Sequence, residues 1–161
     1  MQFQSIGFFL SMLPVALLLA TGCNSRPTCV PVSGKVLVDG EPLKYGGILF
    51  VPYGGRRSSG ILDENGCFKL TCFEPNDGAM LGIHQIQILA NESINDTTTK
   101  WHAPKIYADR TTSGLTQEVS GPTDAVVIEL TWKGSTPGKP FIEREDSTGD
   151  EAFAKRRRKK E

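Results

Sequence analysis

The chain has 161 residues, 39% of them hydrophobic and 22% charged, which leaves room for one modest globular domain with appendages. Seventeen glycines, ten prolines and no long apolar helical periodicity exclude a helical bundle and favour many short strands joined by turns. The formal net charge of zero hides an asymmetry: six of the 18 basic residues lie between Lys155 and Lys160, and without them and Glu161 the body carries about −5, which argues against nucleic-acid binding by the domain itself.

Met1 to Gly22 holds no charged side chain, and Ile6 to Ala20 is an almost unbroken apolar run. Fifteen helical residues rise only about 22 Å against a hydrocarbon core of roughly 30 Å, and Pro14 interrupts them. Residues 1–22 are therefore expected to be an export signal rather than a membrane span. The following Leu19-Ala20-Thr21-Gly22-Cys23 resembles the bacterial lipobox. That resemblance implies cleavage between Gly22 and Cys23 and acylation of Cys23, whose two or more chains would hold the protein on membrane lipid where one would not. Asn24 in place of Asp implies the outer membrane of the cell envelope. The competing reading is an ordinary secretory signal or an uncleaved anchor that ends near a cysteine.

A linker, 23–29, leads into period-two alternation in which Val30, Val32, Gly34, Val36 and Val38 share one face of a half-buried strand. Asp39-Gly40 supplies a turn, and Ile48 to Tyr53 a second strand. The clearest hairpin runs from Ser59 through Asn65-Gly66 to Cys72. Ile83 to Ala90 follows, with Ile86, Ile88 and Ala90 on one face; Asn91 to Lys100 reads as a polar loop, and short pieces come at Ile106-Tyr107 and Leu115 to Val119. Ala125 to Trp132 closes the domain with Val126, Ile128, Leu130 and Trp132 facing one way, Trp132 plugging the core. About seven strands within 30–132, with turns at roughly ten-residue spacing, predict an all-β fold: a small immunoglobulin-like or transthyretin-like sandwich. Residues 133–161, rich in Gly, Pro and charge, predict a disordered tail with a basic end.

Val32-Ser33-Gly34-Lys35-Val36-Leu37-Val38-Asp39-Gly40-Glu41-Pro42-Leu43, then Gly46-Gly47-Ile48-Leu49-Phe50-Val51-Pro52, resembles the opening of carboxypeptidase-regulatory-like domains, and Gly66-Cys67-Phe68-Lys69-Leu70 and Gly82-Ile83-His84-Gln85-Ile86 continue the pattern. With the lipobox, the chain is similar to the short transthyretin-like lipoproteins of planctomycete-type bacteria. The resemblance covers roughly Val30 to Trp132 and speaks to fold, because its glycines and prolines make turns and carry no chemistry.

Candidate chemistry is sparse. With Cys23 committed to lipid, Cys29, Cys67 and Cys72 remain; no C-x-x-C or H-x-x-x-H pair accompanies the two histidines, so no metal or other cofactor is expected. In an oxidising compartment one disulfide and one leftover thiol are expected. Cys67 and Cys72, about 16 Å apart along one strand and on opposite faces, cannot pair with each other. Cys29 is then the partner for one of them, Cys72 being preferred because it stands at a strand end. His84 shares a face with Ile86 and Ile88 and reads as a packed, partly buried histidine at the sandwich edge rather than a base. No G-x-S-x-G elbow occurs, and Asp63-Glu64-Asn65-Gly66 lacks the later ligands of a calcium loop.

No catalytic residue is therefore assigned. The expectation is a lipid-anchored, non-enzymatic envelope module that offers its loops or strand edges to protein or polysaccharide. The alternative is a small hydrolase or an accessory domain of one, which convergence of His84, His102 and an acidic residue in one cleft would favour. The tail cations Lys155, Arg156, Arg157, Arg158, Lys159 and Lys160 read first as a solvated end with no partner, and as the competing reading they touch anionic envelope polymer or headgroups.

Overall fold

The computed structural model of the chain describes residues 27–135 and 138–144. The leader, Cys23 and the basic run lie outside the described residues.

In chain order the strands are β1 (Cys29–Val30), β2 (Val32–Val38), β3 (Glu41–Pro42), β4 (Gly47–Pro52), β5 (Ser58–Ile61), β6 (Cys67–Lys69), β7 (Ala79–Met80), β8 (Gly82–Leu89), β9 (Asn91–Asn95) and β10 (Thr98–Trp101). A 3-10 turn (Lys105–Ala108) and one helical turn, α1 (Arg110–Ser113), precede β11 (Thr116–Val119), β12 (Thr123–Leu130) and β13 (Phe141–Arg144). One face of the sandwich is the antiparallel order β11-β8-β4-β5. The other is built on β2, which pairs with β12 along one edge and with β3 and β6 along the other. A bridge between Ser59 and Thr71 ties the two faces together. The fold is thus an all-β sandwich whose two faces hold seven strands besides the two-residue β3.

The alternation read from the sequence maps onto burial. His84, Ile86, Ile88 and Ala90 are buried in or just after β8, and Val126, Ile128, Leu130 and Trp132 in or just after β12. They close on Val36, Ile48, Phe50, Phe68 and Leu70 from the facing strands. Burying one face of a strand requires period two, so the inward faces of β8 and β12 were legible, whereas Val30, Gly34 and Val38 are only half-buried and Leu43, Leu62, Ala79 and Ala103 join the core without a periodic signal. Trp132 is buried, but beside the main core, where its ring meets Phe141 edge-on at 6.5 Å. The Asp39-Gly40 turn forms with φ of 51° and 86°, a pair of left-handed conformations that Asp and Gly tolerate better than most residues. Its Asp39 carboxylate also accepts Thr131 Oγ1 at 2.6 Å, latching the turn to the end of β12.

Several expectations are corrected. Ile106-Tyr107 lies in the 3-10 turn and not in a strand: the residue before it is Pro104, whose carbonyl accepts the Tyr107 amide at 3.1 Å. Asn91 to Lys100 is not a loop but the greater part of a hairpin, β9 with β10, and β13 adds to β10 in the register Thr98↔Arg144 to Trp101↔Phe141. Ordered structure therefore extends past Trp132 into the stretch read as tail. None of these three strands buries a full face, so none shows hydrophobic alternation. Finally, β12 runs parallel to β2, a pairing that alternation within either strand does not encode.

Candidate functional site

Three places on the described surface combine concavity or convergent polar groups. One is an open groove of about 620 Å³ across β2, β5 and β6. Its lining includes Ser33, Gly34, Ser59, Gly60, Lys69 and Asp124. At two lining positions the backbone leaves no space for a side chain. A Cβ on Gly34 would meet the Val126 carbonyl oxygen at 2.1 Å, and one on Gly60 the Lys69 carbonyl oxygen at 2.7 Å. These glycines let strands close up, and the groove is the surface consequence.

The groove's polar groups are largely occupied by local structure. Asp63 Oδ1 accepts the amides of Asn65 and Cys67, both at 2.8 Å, which makes it the organiser of this turn. Thr71 accepts the Asn76 amide at 3.0 Å.

At one end of β8, His102 sits where its amide donates to the Ala90 carbonyl at 2.8 Å. Its Nε2 lies 2.9 Å from Glu92 Oε2, and the Tyr45 ring tilts over it with centroids 4.8 Å apart. A shallow depression of about 300 Å³ that includes Glu41, Lys44 and Trp132 adjoins it. At the other end of β8, His84 is wholly buried, deeper than the partial burial expected, with its ring 5.7 Å from Phe50 and its Nε2 2.8 Å from the Met80 carbonyl oxygen. Six residues of strand separate His84 from Ala90, about 20 Å, so the two histidines do not converge.

Beside the His102 end, Glu143 of β13 accepts Lys105 Nζ at 2.8 Å and Trp101 Nε1 at 2.9 Å. The Lys105 bond first, and the Trp101 bond after it, hold the Glu143 carboxyl below the usual carboxylate range. Asp109 caps α1 and is held low in the same direction by the Thr111 hydroxyl first and the Thr111 amide next.

The third place is the end of the sandwich where the chain enters. Cys29 and Cys72 both stand here as free thiols, the first half-buried and the second buried, while Cys67 is exposed. Burial, reinforced by the Cys72 thiol, pushes the Cys29 thiol up to about 12. Cys72 is framed by polar neighbours, its carbonyl accepting Arg56 Nε and its amide donating to Asp77 Oδ1, both at 2.6 Å. Asp77 also accepts the Phe73 amide at 2.9 Å and the Glu74 amide at 3.0 Å.

Among the described residues no three His, Cys, Asp or Glu side chains are grouped to hold a metal ion, and no helix is long and apolar enough to cross a membrane. Sequence reasoning missed Glu92, Glu143, Trp101, Arg56 and Asp77. Their partners lie on other strands or across loops, and the one available signal was the β-branched run Thr97-Thr98-Thr99 after the Asn95-Asp96 turn. No protein-family model, curated protein or solved structure matches this chain.

Proposed function

We propose that the chain is a lipoprotein of the bacterial cell envelope, held by an acylated Cys23, whose transthyretin-like sandwich is a binding or structural module and not an enzyme. The observation that carries the second half of this reading is the separation of His84 and His102 at opposite ends of β8, with the first committed to the core and the second to Glu92. General acid–base or nucleophilic chemistry needs its groups within hydrogen-bond reach of one reacting centre.

The anchor rests on the lipobox and gains physical sense from the short path that follows it. Cys29 opens β1 six residues after Cys23, a reach of about 20 Å, so the sandwich would stand against the headgroups. The groove over β2, β5 and β6 then offers hydroxyls, an ammonium and a carboxylate to envelope polysaccharide or protein, and the Lys155 to Lys160 run adds contact with anionic polymer.

Intact mass of protein extracted from membranes tests the anchor. The expected species begins at Cys23 and carries acyl chains, and Cys23→Ala is released from the membrane fraction. An unmodified N-terminus at another residue, or equal release of wild type and Cys23→Ala, would overturn it. One observation favours the alternative of a small hydrolase or its accessory domain: the His102–Glu92 pair beside an open depression is the beginning of a base with its orienting carboxylate. Hydrolysis of an ester or glycoside probe that is lost in His102→Ala, with the fold intact, would move the protein to that class.

A further inference from the structure

We propose that Cys29 and Cys72 are joined by a disulfide that fastens the entering N-terminal segment to the body of the sandwich, leaving Cys67 as the one free thiol among the described cysteines. The geometry comes from the backbone. The Leu70 amide donates to the Val32 carbonyl at 2.9 Å, and Cys29 and Cys72 stand three residues before and two residues after that junction. A second tie follows at once: Gly78 donates to the Leu70 carbonyl at 2.9 Å, and β1 pairs with β7 in the register Cys29↔Met80 and Val30↔Ala79. The segment carrying Cys72 is further pinned by Asp77 and Arg56. With Cys29 and Cys72 carried on two segments tied this closely, their sulfurs can be bonded with little movement.

The bond has a mechanical purpose. β1 is two residues long and pairs only with β7, also two residues long, so by hydrogen bonding alone the entrance of the chain is its weakest edge. Any load on the segment that precedes Cys29 falls there. A covalent link to Cys72 carries that load to the Leu70 end of the core. The inference does not depend on lipidation, since it needs only an oxidising setting.

The chemistry is thiol–disulfide exchange with a small-molecule or protein disulfide as oxidant. One cysteine sulfur attacks the oxidant, forming a mixed disulfide and releasing one thiolate. The second sulfur then attacks the first, forming the Cys29–Cys72 bond and releasing the other thiolate, and the two cysteine protons end on the two released thiols. Both protein sulfurs are oxidised, and both oxidant sulfurs are reduced. In the folded dithiol Cys72 is buried and Cys29 resists deprotonation, so closure is slow once the sandwich has formed and fast while it forms.

The test uses the full chain in detergent, unfolded with reductant, refolded against oxidised glutathione, and alkylated before non-reducing peptide mapping. The expected map links the Cys29 and Cys72 peptides and shows Cys67 alkylated. Closing a loop of this length predicts that reductant lowers the melting temperature of wild type by about 10–15 °C and leaves Cys29→Ser and Cys72→Ser unmoved. Should either serine variant fail to fold, Cys67→Ser keeps the test intact, because it must still give the linked peptide and the reductant-sensitive melt. Alkylation of both Cys29 and Cys72, a link from either of them to Cys23 or Cys67, or an equal reductant response in wild type and Cys29→Ser would overturn the proposal.

Discussion

Two buried serines make opposite predictions. Ser58 opens β5 opposite Phe50 with its hydroxyl wholly buried, and no described group accepts from it or donates to it. Ser113 ends α1, and its buried hydroxyl donates to the Ile86 carbonyl at 2.6 Å and accepts the Leu115 amide at 3.3 Å. Burying a hydroxyl without a partner costs about 1–3 kcal/mol. Replacing Ser58 by Ala removes that cost and leaves a void on the order of 15 Å³, worth about 0.4 kcal/mol of lost packing at roughly 24 cal/mol per Å³. The net expectation is stabilisation by about 1–2 kcal/mol, or a melting temperature raised by roughly 4–8 °C for a domain of this size. Ser113→Ala instead strands the Ile86 carbonyl and should destabilise by about 1–3 kcal/mol. Urea unfolding of residues 24–161, followed by far-ultraviolet dichroism, reads both variants against wild type. If Ser58→Ala unfolds at lower urea than wild type, by a margin like that of Ser113→Ala, the hydroxyl is satisfied in solution and the reasoning fails.

Ending the chain at Gly134 removes β13, its ladder on β10 and the Phe141 ring stacked on Trp101 at 6.3 Å. It should cost about 2 kcal/mol and red-shift the fluorescence of Trp101 and Trp132, whereas ending at Arg144 should do neither; equal melts of the two truncations would refute a structural role for β13. Burial raises the Asp77 carboxyl, but the amides of Cys72, Glu74 and Phe73 outweigh it and hold the group below its ordinary 3.8. Because the folded value is depressed, the stability it supplies is present above about pH 4 and is lost as pH falls through the folded value. Asp77→Asn should therefore melt lower than wild type at pH 7 and converge with it near pH 2, and a constant gap across that range would remove Asp77 from the account. The six cations from Lys155 to Lys160 should give residues 24–161 at least ~10-fold tighter binding than residues 24–144 to anionic vesicles at low salt, with the difference erased at high salt; equal binding at low salt would leave the run without that partner.

The sequence by itself determined which residues face inward. Val126, Ile128, Leu130 and Trp132, or Ile86, Ile88 and Ala90, alternate because a strand with one buried face has no other way to bury it, and Asp39-Gly40 marks its turn because few residue pairs accept its backbone angles. The packed role of His84 was legible for the same reason, since it keeps step with Ile86 and Ile88. The tertiary structure alone decided which strands become neighbours. The parallel pairing of β12 with β2 joins residues some ninety positions apart, and neither strand's own pattern names its partner. It alone also decided the β9-β10-β13 ribbon, whose strands bury no complete face and so leave no periodic signal, and with it the meeting of Trp101, Lys105 and Glu143. The approach of Cys29 to Cys72 lies between: the sequence named Cys29 as the partner by reading one strand through Cys72, but β6 ends at Lys69, and only the closure of β2 on the segment after it brings the two cysteines near each other. Alternation records burial, which is local to each strand, whereas pairing and convergence depend on how the chain turns back on itself.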